Sequence, residues 1–228
     1  GMLDQSIPGG PVTLGAQADG AGGLVIGGAG ATPQAPGILR ADEITTGPGS
    51  GGILFHHTRD HHFTDTGAAG GTPIVISGPT TVLHSNGSTT FAANSTFSGG
   101  TDIDGGTVTT NALTALGTGP VALNNGRLDV IKTLEIGDDF TWSGGEISSV
   151  LGTTTSLIDV NGSLLLTVPG AFDFTNDAGF LSNTDYLILS ATDPLGAYDP
   201  STDFNGNNLF GLTPEFKIIG GQLFVTYA

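Results

Sequence analysis

Four histidines fall within seven residues, His56, His57, His61 and His62, with Asp60 and Asp65 beside them. Neutral imidazoles bind zinc, nickel or copper readily, so this cluster is the first candidate for chemistry. On a regular strand His57 and His61 share a face but stand about 13 Å apart, too far for one metal ion unless the chain turns at Thr58-Arg59-Asp60. The reading favoured over a metal-binding surface module is a solvated strand–turn–strand, with no residue assigned as a metal ligand. Asp102 and Asp104 sit at i and i+2, on one face of a strand with about 7 Å between them. Carboxylates displayed in this way serve calcium or acid–base work in polysaccharide-active enzymes of β-helix fold. Such a site also needs a basic or acidic partner from a neighbouring coil, and Lys and Arg are almost absent. A hydrated outer face is therefore expected. Asp138-Asp139 and the pair Asp173 and Asp177 read as loops of an acidic surface.

Other signatures fail on context. Gly47-Pro48-Gly49-Ser50-Gly51-Gly52 satisfies a G-x-G-x-x-G pattern, but a β-prone run follows where a phosphate-binding helix should begin. No serine lies in a G-x-S-x-G elbow. The aromatic C-terminal quarter offers a platform for sugars, although a packed core suits it better. No catalytic, cofactor-binding or metal-ligating residue is expected, and no cofactor.

The elements that would position these side chains are β-strands. Among 228 residues there are four Glu, two Lys, three Arg, four Gln and one Met, too few to solvate many amphipathic helices. Glycine supplies 39 residues without a Gly-X-Y period, and apolar residues reach 37% with a mean hydropathy of +0.15, which excludes collagen and argues against general disorder. A formal net charge of −16, with only Arg40, Arg59, Arg127, Lys132 and Lys217 positive, excludes the basic footprint of a nucleic-acid binder and disfavours anionic membrane surfaces. The chain has no cysteine, hence no disulfide and no thiolate chemistry. No apolar run is long enough to cross a bilayer as a helix, and no basic-then-apolar leader opens the chain. Gly1-Met2 reads as a cloning remnant, and the chain as a piece of a longer protein.

Short β-prone runs recur, among them Leu24-Val25-Ile26, Ile38-Leu39, Ile53-Leu54-Phe55, Ile74-Val75-Ile76, Val121-Ala122-Leu123 and Leu157 to Val160. The gaps between them are rich in Gly, Asn, Ser and Thr, the texture of coils stacked into a β-solenoid. Asn86-Gly87, Asn125-Gly126, Asn161-Gly162 and Asn205-Gly206 would also suit antiparallel hairpins. Near residue 170 the composition turns aromatic. Residues 1–170 are read as the coils and 171–228 as a C-terminal capping β segment, with paired strands at Tyr186 to Ser190 and a Gly220-Gly221 hairpin between Lys217 and Val225.

Residues 88–128 carry the marks Asn94 to Phe97, Ser98-Gly99-Gly100-Thr101, Gly105-Gly106-Thr107-Val108 and Ala115-Leu116-Gly117-Thr118-Gly119-Pro120-Val121. This stretch resembles the autotransporter-associated β-strand repeat of bacterial surface proteins. Gly52 to Thr58 followed by Phe63 is similar to the strand that often precedes that repeat, with His56 where Asn is usual. Phe216 to Tyr227 resembles the end of a passenger before its membrane barrel. Asp102 and Asp104 depart from the more usual Thr and Asn or Ala. The resemblance implies an all-β, right-handed parallel β-helix with an aromatic-rich C-terminal cap. It also implies a non-catalytic, extracellular or cell-surface passenger segment of a Gram-negative bacterium, secreted through an outer-membrane barrel outside this chain. Its role would be a rigid stalk or adhesin scaffold that also aids passenger folding, with host or neighbouring-cell glycans or proteins as partners. The alternatives are a β-helical polysaccharide-active enzyme using Asp102 and Asp104, and a metal-binding module on the histidines.

Overall fold

The computed structural model describes residues 10–228, so Gly1-Met2 lies outside the described residues. These residues form twenty strands and one short 3-10 turn, with no α-helix among them. The first strands are β1 (Val12–Leu14), β2 (Ala21–Gly27), β3 (Glu43–Thr46), β4 (Ser50–His62), β5 (Val75–Ser77) and β6 (Thr81–Phe91). Shorter ones follow: β7 (Thr101–Ile103), β8 (Thr107–Thr110), β9 (Val121–Leu123), β10 (Arg127–Val130), β11 (Leu134–Ile136), β12 (Phe140–Trp142), β13 (Glu146–Leu151), β14 (Ile158–Val160), β15 (Leu164–Leu166) and β16 (Gly170–Asn176). The chain ends with β17 (Tyr186–Ala191), the 3-10 turn Leu195–Ala197, β18 (Phe204–Gly206), β19 (Pro214–Ile219) and β20 (Gln222–Tyr227). Ile38-Leu39 forms no strand. Leu39 alone reaches the core, while Ile38 stays exposed.

Pairing is parallel throughout β1 to β18 and organises three sheets, the largest a twelve-stranded parallel sheet curled into a half-barrel. The long strands β4 and β6 pair in parallel within that sheet. Beyond β6 the sheet forks, because β7 pairs with Val82 to His84 and β8 with Ser88 to Phe91. Each later return of the chain lays down one short strand on each branch. Thr101 pairs beside Val121, Val121 beside Phe140 and Phe140 beside Leu164. The chain thus comes back into register roughly every twenty residues, as stacked repeat units do. On the other branch Thr107, Arg127, Glu146 and Ala171 are neighbours in the same order.

Alternation of side chains sends every second residue inward, and the inward rows are apolar. One row runs Ile103, Leu123, Trp142; another runs Val108, Leu128, Ile147, Phe172. All are buried, and they belong to one continuous hydrophobic cluster from Val12 to Tyr227. Glycine makes the corners possible. At Gly126 and Gly145 φ is +91° and +75°, and a Cβ at either would meet the backbone of the preceding level at 2.7 and 2.5 Å.

The Asn-Gly pairs build no antiparallel hairpins. Asn125-Gly126 and Asn161-Gly162 turn the chain between parallel strands, and Asn86-Gly87 lies inside β6. The parallel ladder also passes the compositional change near residue 170, since β16 continues from β13 and β18 from β16. Only after Gly206 does the direction reverse. β19 and β20 pair antiparallel through Gly220-Gly221, and β20 lies antiparallel against β17.

Candidate functional site

The densest group of buried polar side chains lies between β4 and β6. Their register slips there: His56 is opposite Asn86, but Asp60 is already opposite Ser88. His57, Thr58 and Arg59 therefore bulge against the single residue Gly87. Gly87 has φ +90°, and a Cβ on it would sit 2.3 Å from His57 Nδ1, so only glycine admits that ring.

The bulge corrects the distance expected for a regular strand. The His57 and His61 rings are 5.7 Å apart, and the His57 and His84 rings 5.9 Å. It also corrects the solvated reading. Thr58, Arg59 and Asp60 are exposed but bulge within β4 rather than turning the chain, and His57, His61 and His84 are 0%, 3% and 0% exposed. His56 and His62 are half-buried.

The His56, His57 and His84 rings are fixed by specific partners. His57 Nδ1 lies 2.7 Å from the Arg59 carbonyl and its Nε2 lies 2.7 Å from Thr89 Oγ1. His84 Nδ1 lies 2.8 Å from the Gly105 carbonyl and its Nε2 lies 3.0 Å from the same Thr89 oxygen. Phe55 stacks on His84 at 6.1 Å. His56 Nδ1 meets Ser85 Oγ at 2.8 Å, whereas His56 Nε2 and His61 Nε2 are buried without a protein partner. Burial pushes His61 and His84 down to about 4, and lowers His57 as well, because the charged form loses its hydration. Among the described residues no three His, Asp or Glu side chains are disposed to hold a metal ion.

His84 and Thr89 escaped notice in the sequence because neither sits in the histidine run. Both occupy inward positions. In the row of His84 the next levels carry Ile103, Leu123 and Trp142, and in the row of Thr89 they carry Val108, Leu128, Ile147 and Phe172. The signal was available as parity, since His84 shares a face with Val82 and Thr89 shares one with Phe91.

The acidic pairs are dispersed. Asp102 and Asp104 both lie exposed on the outer surface, as expected. Asp102 is raised by partial burial and by the neighbouring Asp104, while Asp104 accepts a hydrogen bond from Asn124 at 2.8 Å. No Lys or Arg ion pair involves either of them among the described residues. Asp173 and Asp177 part company. Asp173 joins Asp129 and Glu146 around Arg127, at 2.6, 2.5 and 2.6 Å. Asp177 accepts hydrogen bonds from the backbone N–H of Thr153, Thr154 and Gly179, which hold its carboxyl down at about 2. Asp139 accepts from the Ser163 N–H at 2.8 Å, binding one level to the next.

The aromatic segment packs inward. Phe172, Phe174, Phe204 and Phe216 form a contiguous group with ring centroids 5.2 to 6.5 Å apart, and Tyr227 meets Phe174 edge-on at 6.1 Å. An open groove of about 590 Å³ runs over Phe204, Phe216, Pro200 and Pro214, with Glu215 as its one charged lining residue. No protein-family model, no curated protein and no solved structure matches the chain.

Proposed function

We propose that this chain is a rigid, non-catalytic segment of a surface-exposed bacterial passenger protein, a right-handed parallel β-helix of the autotransporter type that spaces and displays loops outside the cell. The observation that carries the reading is the continuous parallel pairing from β2 to β18, which passes through the bulge in β4 without reversing. A stack of that kind transmits position along its length, because each level is fixed to the next by backbone hydrogen bonds and an apolar row. Residues 88–128, which resemble the autotransporter-associated repeat, cover the stretch where the fork begins and the short-strand levels start to repeat. The hairpin β19–β20 and the aromatic group beneath it suit a C-terminal cap over residues 171–228. The absence of cysteine suits export in an unfolded state, and the outer face is free to meet glycans or proteins of other cells.

Two assays on the purified chain test this. In the first, acidic and neutral polysaccharides are incubated with the chain and with the D102N/D104N double variant. The scaffold reading expects no turnover from either, and cleavage that disappears in the variant would replace it with the enzyme reading. In the second, beads coated with the chain are scored against glycan panels and host-cell surfaces, where saturable binding supports an adhesin role and its absence leaves passive spacing. A crystal structure fixes the handedness of the stack, and a left-handed path removes the autotransporter-type fold from the proposal.

A further inference from the structure

A proton count through the buried histidines gives a result that the scaffold role does not require. A carbonyl oxygen only accepts, so His57 Nδ1 must carry a proton toward the Arg59 carbonyl, and His84 Nδ1 one toward the Gly105 carbonyl. A neutral imidazole has one N–H, which leaves both Nε2 atoms as acceptors. Both face Thr89 Oγ1, at 2.7 and 3.0 Å, and a hydroxyl has one proton to give. In the all-neutral state one Nε2 lone pair is therefore aimed at an oxygen lone pair inside the core. Leaving a buried acceptor unmatched is costly.

One added proton resolves the conflict. With the second Nε2 protonated, the chain reads Arg59 carbonyl, His57, Thr89 hydroxyl, His84, Gly105 carbonyl, with every donor matched to an acceptor. A second added proton breaks it again, since both Nε2–H groups would point at Oγ1, its own hydrogen would lose its acceptor, and two cations would lie with rings 5.9 Å apart. We propose that His57 and His84 form a one-proton binding site bridged by the Thr89 hydroxyl, an acid-sensing device set into core positions that the following levels fill with apolar side chains.

The surroundings leave the pair as the centre of this response. On β4 the titratable and charged neighbours are His56, Arg59, Asp60, His61 and His62; Arg59 and Asp60 are exposed, and His61 is buried. From the β7 side come Asp102 and Asp104, both exposed, with the Asp104 N–H bonded to the His84 carbonyl at 2.8 Å. β2 and β8 bring no titratable side chain. The His57, Thr89 and His84 chain ties the β4 bulge to β6 and to the β7–β8 corner, with the His61 ring 5.7 Å from His57 as its nearest buried titratable neighbour outside the chain.

The test is long-range ¹H–¹⁵N NMR of the histidine rings in the full chain, titrated from pH 8 downward. At pH 8 both His57 and His84 should show the Nδ1–H tautomer, the minor form of free histidine in water. On acidification the two rings should move together and take up one proton between them before the fold is lost. Thr89→Ser, which keeps the hydroxyl, should preserve this behaviour; Thr89→Val should uncouple the rings and lower their proton uptake by about one pH unit or more. An Nε2–H tautomer on either ring at pH 8, or two independent one-proton titrations, would overturn the proposal. So would a Thr89→Val protein that titrates like the parent. The tautomers are read in the unmutated chain, so the outcome does not depend on how either variant folds.

Discussion

The Tyr198 hydroxyl donates to the Leu164 carbonyl at 2.6 Å and accepts from the Leu166 N–H at 3.3 Å, so one side chain meets β15 where a further strand would otherwise pair. β15 is the last strand of its branch, and an unpaired edge is a template for association. Asn207 does the same for β16 beyond the end of β18: its side-chain amide accepts from the Phe174 N–H at 2.6 Å and donates to the Phe174 carbonyl at 3.0 Å. The C-terminal end of the parallel stack is thus closed by two side chains as well as by an antiparallel hairpin.

Tyr198→Phe removes the first of these closures without changing the packed ring. The expected result is a loss of about 1 kcal/mol in stability together with increased self-association. Urea unfolding followed by the fluorescence of Trp142, the chain's one tryptophan and fully buried, measures the first, and light scattering the second. Unchanged values for both would mean that the Tyr198 hydroxyl does not protect the β15 edge.

Acid should weaken the fold before the carboxylates titrate. His61 and His84 are held down at about 4 by burial, whereas in the unfolded chain they titrate near 6.5. Between those values the unfolded state binds more protons, so stability falls as pH drops from 6.5 to 4 and is flat above 6.5. A fall in stability across this window is expected from that gap. His61→Leu should flatten the slope across this window, measured as the urea midpoint against pH.

Asp177 works in the same direction but lower on the scale. Its carboxylate is the acceptor for three backbone donors, and its contribution is complete above the ordinary carboxylate range and lost as pH falls toward 2. Asp177→Ala should release the turn at Thr153 and Thr154, seen as faster amide exchange at both residues at neutral pH. Carboxyl NMR should place the Asp177 midpoint well below that of an unperturbed aspartate. Exchange rates equal to those of the parent would show that the turn does not depend on this carboxylate.

Arg127 gathers Asp129, Glu146 and Asp173 from three neighbouring strands of the outer face. Arg127→Met leaves three carboxylates facing one another, so a loss of about 1 kcal/mol is expected at pH 7. The loss should shrink at high salt, which screens exposed charges, and an equal loss at low and high salt would assign the effect to packing rather than charge.

Much of this architecture was written in the sequence. The Lys217 to Val225 hairpin and the Tyr186 strand follow from alternating apolar residues around Gly220-Gly221, and the structure pairs them as expected. The apolar runs at Ile53, Val121 and Ile158 are strands for the same reason. The histidine site was only half legible. Composition marked His56, His57, His61 and His62, but a strand of even pleat sends His57 and His61 about 13 Å apart, and only the slip against Gly87 brings their rings together. That slip depends on the neighbouring strand, which local sequence does not announce. His84 and Thr89 looked like ordinary strand residues because their significance lies in whom they face across the stack. Arg127 was likewise noticed as one of five cations and not as the centre of a carboxylate group, since Glu146 and Asp173 reach it only through the parallel register.

The parallel register is the claim on which the scaffold reading and the proton site both rest, and the absence of native cysteine makes it directly measurable. Ala122 and Thr141 are outward-facing neighbours on successive levels, and Asp102 lies one level further away in the same row. The A122C/T141C double variant should form an intramolecular disulfide under mild oxidation, because paired strands lie about 4.8 Å apart. The D102C/T141C variant, separated by about twice that distance, should remain reduced. A disulfide in the second variant and none in the first would contradict the stack.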